Sequence, residues 1–496
     1  MEKDGGLPSF FLLLVGWLLL HSTQPSFAAS PFTPDLQRAY QELLALKITH
    51  GRALAAHALK IAPTNAAGLL VANYADFLTL CLQQDEQAFP SLLAAQEERL
   101  RQLEHLPQTS DWVTYATAEV RLQTGLSKLL FGNRLAAAWD IRQAYLSFSE
   151  NARRYPHFFP NKKTLGLLQV LIGSVPDNYK WFLSIIGMSG NSTEGLVNLK
   201  AATTTGNVFQ EETQLYLALV LPLLDEEQYT TTSARQAAQL ARKYPENLLY
   251  TFVATYLLKK ARQGDAALAL YQQRPNSTQY LSLPYLHHLA ADLYLARGAY
   301  NQSVQENRLF LAQTKGQHYL KAAYFKLYLA CLLHKQEAQA HVYFDKISKE
   351  GKAETEEDTY AQRFVERHEQ LNRLLLLARL RSDGGYYLEA MAALNSLDTT
   401  KLPVPLQAEY VYRKARIYHG LRQLPQAITW YQRTISSYSN SGLYVVPHAN
   451  LQLGYLYREA GAPEKAKVYF QQAMHYKGHE YKTSIDAKAK LALSNL

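Results

Sequence analysis

The stretch that decides the fold is residues 447–478, PHANLQLGYLYREAGAPEKAKVYFQQAMHYKG, close to the end of the 496-residue chain. Small and apolar residues recur in it at three- and four-residue intervals, the spacing of one face of an α-helix. Counted from Pro447, positions 7, 8, 11, 15, 20, 24 and 27 hold Leu453, Gly454, Tyr457, Gly461, Ala466, Phe470 and Ala473. Small residues at positions 8 and 20 let two helices approach closely, and glycine at position 15 ends the first helix in a left-handed conformation. The stretch therefore predicts a helix hairpin of about 34 residues.

The same spacing recurs upstream of this hairpin. Units that repeat all or part of it start at Leu248, Pro284, Leu371 and Ala408, with fainter matches before residue 245. Several matches at one period indicate a repeat array instead of separate globular domains. The alternation of apolar and polar residues that marks β-strands is nearly absent, so the sequence predicts an all-α fold.

This pattern resembles the tetratricopeptide repeat family, most closely over residues 453–473. The resemblance implies a right-handed superhelical solenoid of antiparallel helix hairpins, in which stacked hairpins form a long concave surface. Two units depart from the family pattern, because Arg381 and Thr434 replace the expected aromatic and small residues. We expect those units to pack less regularly.

The middle of the chain has a different pattern. It contains Leu165-Gly166-Leu167-Leu168, Val175-Pro176, Trp181-Phe182-Leu183, Gly187-Met188-Ser189-Gly190 and Glu194-Gly195-Leu196. These residues are similar to the central region of a eukaryotic tetratricopeptide family linked to mitochondrial outer membranes and inclusion-body clearance. A membrane-inserting hairpin is an alternative interpretation of this segment. Each apolar piece is too short to span a bilayer, which favours buried core helices.

The N-terminus predicts export. An apolar run over residues 10–20 is followed by Ser26-Phe27-Ala28-Ala29, the pattern of a secretory signal peptide cleaved near Ala28. We therefore expect a periplasmic or secreted protein with no membrane span after cleavage. The predicted organisation is a signal peptide (1–28), divergent helical repeats (29–245), tetratricopeptide-like repeats (246–347), an acidic connecting segment (348–370), further repeats (371–480) and a C-terminal capping helix (481–496). The carboxylates of the acidic segment indicate an exposed loop or a helix start.

Composition narrows the class of protein. Hydrophobic residues make up 48% of the chain and its mean hydropathy is -0.23, which excludes both a disordered chain and a polytopic membrane protein. Two cysteines, Cys81 and Cys331, supply neither a disulfide framework nor the spacing of a metal site. The net charge is +9, and residues 408–496 hold 12 Lys or Arg against 5 Asp or Glu. This basic end is either a solvated helical face or a surface that attracts anions. Because an exported protein rarely meets nucleic acid, we expect no nucleic-acid partner.

No pattern in the sequence predicts catalysis. His368-Glu369 opens like a zinc-binding helix, but Asn372 stands where the second histidine belongs. A lytic transglycosylase, the enzyme class considered as a minor alternative, needs a separate catalytic domain with a buried acid. The repeats run almost to the C-terminus and leave no room for such a domain after them. We therefore predict no catalytic residues, no metal site and no cofactor.

Binding is the predicted function. In the tetratricopeptide family the first helix of each hairpin lines the concave face through positions 2, 5, 9 and 12. On the matched units those positions place six residues in a partner-binding groove: Arg379, Tyr412, Arg416, His419, Tyr455 and Arg458. Arginine and tyrosine are typical of interface hot spots. A protein segment is the favoured partner, and a glycan or cell-wall polymer that stacks on the tyrosines is the alternative.

Overall fold

The structure is a computed structural model that describes residues 31–174, 188, 190–204, 206–369 and 371–496. These residues contain 24 α-helices and no β-strand, which confirms the all-α fold class. In chain order the helices are α1 (Pro34–Leu44), α2 (Ile48–Ile61), α3 (Ala66–Gln83), α4 (Phe89–Glu104), α5 (Asp111–Leu130), α6 (Arg134–Arg154), α7 (Phe159–Gly173), α8 (Ser192–Ala202), α9 (Gln210–Leu224), α10 (Glu226–Lys243), α11 (Leu248–Lys260), α12 (Gly264–Gln272), α13 (Pro284–Arg297), α14 (Tyr300–Gln313), α15 (Leu320–Leu333), α16 (Glu337–Lys349), α17 (Glu356–Glu366), α18 (Arg373–Asp383), α19 (Tyr387–Asn395), α20 (Val404–Gly420), α21 (Leu424–Tyr438), α22 (Val445–Glu459), α23 (Pro463–His475) and α24 (Lys482–Ser494). The predicted signal peptide, residues 1–28, lies outside the described residues.

Local sequence signals set where the helices begin and end. The side chains of Asp225 and Asn247 accept hydrogen bonds from backbone N–H groups three residues ahead, at 3.1 and 3.0 Å, and so cap α10 and α11. Such caps satisfy donors that the first helical turn leaves without a partner. Glycines follow the C-terminal ends of α13 and α22, each the first helix of a hairpin. These glycines, Gly298 and Gly461, have φ values of +80° and +69°. Both glycines therefore adopt the left-handed conformation predicted for position 15 of the unit.

Helices pack in a repeat-like order. Except for α17 and α18, each helix packs on the next along the chain, and short connections make these neighbours run in opposite directions. The first helix of a hairpin also contacts the first helix of the next one, as in the series α18, α20, α22 and α24. Within the 447–478 unit the approach is close, since a Cβ added to Gly454 would lie 2.4 Å from the ring of Phe470. A small residue at this position is thus a requirement of the packing.

The array also folds back on itself. The turn between α11 and α12 lies against the turn between α18 and α19, where the Gly264 N–H donates to the Gly384 carbonyl at 3.2 Å. A Cβ added to Gly385 would lie 2.0 Å from the Arg262 carbonyl oxygen. This long-range contact brings the start of α10 and the α11–α12 turn next to the C-terminal hairpins. It creates the enclosure in which the candidate site lies.

The acidic segment predicted as a connection contains helix α17. Thr355 caps this helix by accepting from the Asp358 N–H at 3.0 Å, while Ala361 and Phe364 are buried against neighbouring helices. The Asp358 carboxylate is itself buried, and it accepts from the backbone N–H groups of Tyr319 and Ala322 at 2.6 and 3.0 Å. This acidic residue therefore caps the start of α15.

Within the described residues, one helix, α3, is long and apolar enough to cross a membrane by length and composition. Of its 18 residues, 72% are buried against other helices. The segment for which a membrane-inserting hairpin was the alternative is described only in part, because residues 175–187 and 189 lie outside the described set. Its flanking helices α7 and α8 pack closely, and a Cβ added to Gly166 would lie 2.8 Å from the Gly195 carbonyl.

Candidate binding pocket

A pocket of about 440 Å³ lies where the start of α10 and the α11–α12 turn meet the C-terminal hairpins. Its walls come from elements far apart in sequence, so only the closed arrangement of the array assembles it. The lining residues are Glu226, Glu227, Thr230, Thr231, Lys260, Ala261, Arg262, Tyr387, Arg416, His419, Gly420, Arg422, His448, Leu451, Gln452, Tyr455 and Lys488. Polar side chains dominate this list, which distinguishes the pocket from the apolar packing between hairpins. A larger hollow of about 1000 Å³ lies between α14 and α16, but its walls come from that one region of the chain.

Positive charge exceeds negative charge in the pocket. Five cationic side chains line it, against the carboxylates of Glu226 and Glu227. Lys488 pairs with Glu226 at 2.6 Å. Arg422 pairs through both terminal nitrogens with Glu459, at 2.5 and 3.3 Å.

Three cations remain after these two ion pairs. The Arg416 guanidinium donates to the neutral amide oxygen of Gln452. Within the described part of the chain, no carboxylate forms an ion pair with Lys260, Arg262 or Arg416. Glu227 is the one lining carboxylate left to balance them, and it lies 3.9 Å from the Nε2 atom of the neutral His419 ring. The pocket thus carries an excess of positive charge.

Two histidines in the pocket are neutral at physiological pH. Burial is the largest cause that lowers the pKa of His419 to about 3, and the charges of Arg416, Arg262 and Arg422 lower it further. Burial also lowers the pKa of His448 well below its usual range, with Arg416 and Lys488 adding to the effect. The Nδ1 atoms of these histidines meet tyrosine hydroxyls: His448 that of Tyr412, and His419 that of Tyr431 at 3.3 Å. These contacts fix the orientation of both rings.

The structure brings three of the six sequence-predicted groove residues together at the pocket. Arg416, His419 and Tyr455 line it. Tyr412 lies just behind this wall, with only 2% of its surface exposed, and its hydroxyl meets His448. It supports the wall and offers little surface to a ligand.

The other two predicted groove residues have intrachain partners. Arg458 donates through both terminal nitrogens to the Asp225 carboxylate, at 2.6 and 3.1 Å, and this pair anchors the start of α10 against α22. Arg379 does not line the pocket; its Nη1 atom donates to the Tyr360 hydroxyl of α17 at 3.2 Å. A ligand would have to displace these contacts to use either arginine.

Sequence reasoning missed most of the pocket, since three of its 17 lining residues were predicted. Lys260, Arg262 and Lys488, and the two glutamates of α10, lie outside the concave positions of the repeat. One signal for Arg262 was present, because it occupies position 15 of the unit from Leu248, where other units have glycine. Arg422 occupies the same position of the unit from Ala408, and both arginines have positive φ, at +56° and +59°.

A second concentration of buried charge lies in the N-terminal half. Lys163 is completely buried, and its Nζ atom lies 2.9 Å from Glu212 and 3.3 Å from Glu119. Burial alone would lower the pKa of this amine, but the charges of Glu119 and Glu212 outweigh it and raise the pKa. The Nζ atom also lies 4.5 Å from the centre of the Phe209 ring. Lys163 is therefore charged and fully partnered.

Hydroxyl groups complete the N-terminal cluster. The Glu212 carboxylate accepts from three tyrosines, Tyr40 at 2.8 Å, Tyr216 at 2.7 Å and Tyr74 at 3.1 Å. Glu119 accepts from Thr164 at 2.5 Å. These groups come from five helices, α1, α3, α5, α7 and α9, and serve as hydrogen-bond partners for one another. It has the character of an internal support for the fold.

Among the described residues, no group of three His, Cys, Asp or Glu side chains has the geometry to hold a metal ion. No protein-family model and no curated protein matches this sequence.

Proposed function

We propose that this chain is an exported, non-catalytic binding protein whose repeats form a tetratricopeptide-like, right-handed superhelix. In this proposal the concave side of its C-terminal half receives a segment of a partner protein. The observation that carries the proposal is the pocket where Arg416, His419 and Tyr455 converge. Side chains of this kind, partly enclosed and able to donate several hydrogen bonds, are typical of residues that dominate binding energy.

The closed arrangement of the array favours a restricted contact. Because Arg458 and Tyr412 are engaged within the chain, the segment would contact the pocket and its rim and would not lie along the whole groove. An extended glycan stacked on many tyrosines requires a longer open surface. The protein segment is therefore the better candidate.

Site-specific photo-crosslinking in the source cells tests the proposal. A photoreactive residue replaces Thr231, which lies exposed on the pocket lining, and in a matched variant it replaces Gln432, exposed on α21. We expect a partner protein to crosslink from position 231 and not from position 432. The yield should fall when Arg416 is changed to Gln and when salt is raised, since screening weakens interactions with arginine. Equal products from both positions, or none, would refute the proposal.

A further inference from the structure

We infer that the pocket binds a multivalent oxyanion, a group with at least two negative charges borne by phosphate or carboxylate oxygens. This inference rests on the proposed binding function of the same pocket and names the chemistry of the ligand. The oxyanion is either a free small molecule or a charged group at the end of the partner's segment. Both sources present the same atoms to the same side chains.

The first support is the charge that the fold leaves without a partner. With Lys488 and Arg422 neutralised by Glu226 and Glu459, the cations Lys260, Arg262 and Arg416 face the single carboxylate of Glu227. The excess is two positive charges. Lys260 is exposed at the rim, but Arg262 and Arg416 are half-buried, and charges held partly out of water are unfavourable unless they are paired. A ligand with two negative charges would balance the pocket.

Several other enclosed cations of this protein have carboxylate partners. Lys326 lies 2.9 Å from Asp292 and 2.8 Å from Glu357. Arg99 lies 2.6 Å from Asp76. Lys163 and Arg458 also have carboxylate partners, whereas the buried Lys321 amine and the Arg379 guanidinium donate to neutral oxygens. The pocket differs from these single cations because it collects several cations around one space.

The second support is the type of donor. Arginine presents a planar fork of N–H groups that matches the oxygens of carboxylate and phosphate, which ammonium groups match less closely. Arg262 comes from the α11–α12 turn and Arg416 from α20, and both line one space with His419 and His448. Neutral donors beside two guanidinium groups would complete the shell of an oxyanion.

The third support is the backbone beneath two of the arginines. Arg262 and Arg422 adopt left-handed conformations at turns where three other units have glycine. A residue with a side chain is less favourable there than glycine by about 1 kcal/mol. Six other described residues with side chains also have positive φ, so this conformation is not unique to the pocket. At the pocket it places two guanidinium groups that glycine would not provide.

The size of the pocket limits the ligand. Its volume of about 440 Å³ lies within the range of roughly 300–1,000 Å³ usual for small-molecule sites. A bisphosphate or a tricarboxylate fits this space, whereas a folded element does not. The pocket accommodates carboxylate groups, because those of Glu226 and Glu227 line it from the start of α10.

Calorimetric titration of the full chain with pyrophosphate, and separately with citrate, tests the inference. We expect saturable binding of at least one probe. Arg416→Gln should weaken it about tenfold, since a charge-assisted hydrogen bond is lost. Arg262→Gln, on the α11–α12 turn, should weaken it similarly and provides a second test should the first variant fold poorly. Glu227→Gln should tighten binding several-fold, because it removes the opposing charge.

Arg235→Gln is the matched control, because Arg235 is exposed on α10 outside the pocket lining. The affinity of this variant for the probe should stay within about twofold of the wild-type value. If neither probe binds saturably, or if Arg235→Gln weakens binding as much as the pocket variants, the inference is wrong.

Competition separates the two sources of the oxyanion. If pyrophosphate or citrate binds and also abolishes crosslinking from position 231, the partner segment carries the anion. If the probe binds while no protein crosslinks, the ligand is a free small molecule. In that case the proposed protein-binding function fails and the oxyanion site stands. If a protein crosslinks but neither probe binds, the proposed protein-binding function stands and the oxyanion inference fails.

Discussion

Two regions of the molecule enclose charge, and they do so differently. In the N-terminal half, Lys163 is surrounded by Glu119, Glu212 and several tyrosines, and its donors have partners within the chain. In the C-terminal half, Arg262 and Arg416 share a pocket with one unpaired carboxylate. The first cluster needs nothing from outside the protein. The second keeps an excess of positive charge, which a bound anion would balance.

The difference separates a structural role from a binding role. A buried charge network that is complete within the chain fixes how helices pack, and removing one member leaves the others without partners. Cations that lie in a pocket without partners contribute less to folding, but they remain available to a ligand. Substitutions in the N-terminal cluster should therefore lower the free energy of unfolding strongly. Substitutions of the pocket's charged residues should lower it less and should change ligand binding.

The largest effect is expected from Lys163→Met. Glu119 and Glu212 would remain buried without their cation, and the free energy of unfolding should fall by about 3–5 kcal/mol. Chemical denaturation of the purified chain measures this. Lys162→Met is the matched control, because its amine lies over the Phe159 ring and has no carboxylate partner among the described residues. A double change, Lys163→Met with Glu212→Gln, should recover part of the loss. Equal stability of the two single variants would contradict the structural role.

A smaller loss is expected where the array closes. In Gly385→Ala the new Cβ would collide with the Arg262 carbonyl at a φ of +88°, so the free energy of unfolding should fall by about 2–3 kcal/mol. Gly461→Ala has a similar φ of +69° with open space around the Cβ, and it should lose only about 1 kcal/mol. Thermal and chemical denaturation compare the two variants. Equal losses would show that the contact between the two turns contributes nothing.

Much of the fold could be predicted from local sequence patterns. The spacing of Gly454, Ala466 and Phe470 predicted a close hairpin, and Gly298 and Gly461 predicted left-handed helix ends. These features depend on residues within one repeat, so short-range periodicity reveals them. In the acidic segment the carboxylates indicated an exposed loop or a helix start, and residues 356–358 form the first turn of α17. The burial of Ala361 and Phe364 within that helix was not predicted.

The site could be predicted only in part. Concave positions identified Arg416, His419 and Tyr455, since they belong to repeats whose register the sequence shows. Lys260, Arg262 and Glu227 could not be found in this way. They reach the pocket because two turns more than a hundred residues apart pack together, and no periodicity within a repeat predicts which turns those are.

The pocket histidines predict a dependence of stability on pH. The folded-state pKa of His419 is about 3, below the value of about 6.5 usual for an unfolded chain, so the native state binds fewer protons between these values. The stability that the neutral His419 ring contributes is complete above pH 6.5 and is lost as pH falls toward 3. From pH 7 to pH 5 this histidine alone should lower the free energy of unfolding by about 1–2 kcal/mol, which denaturation at each pH measures.

His419→Gln should make that pH dependence shallower by the same amount, whereas His57→Gln, at an exposed position on α2, should leave it unchanged. A bound oxyanion would offset the charges of Arg416 and Arg262 that lower the pKa of His419. Pyrophosphate at saturation should therefore also reduce the loss of stability at pH 5. An unchanged slope in His419→Gln would mean that this ring does not contribute to it.

The smallest effect concerns the one carboxylate that opposes the unpaired cations. Glu227→Gln should lower the free energy of unfolding by at most about 0.5 kcal/mol in dilute buffer, because repulsion among Lys260, Arg262 and Arg416 loses its only balance. The loss should vanish at high salt, where screening acts over a few ångströms. Glu389→Gln, exposed on α19 and outside the pocket lining, is the matched control and should show neither effect. If Glu227→Gln stabilised the chain instead, positive charge would not be concentrated in the pocket, and the contrast with the Lys163 cluster would fail.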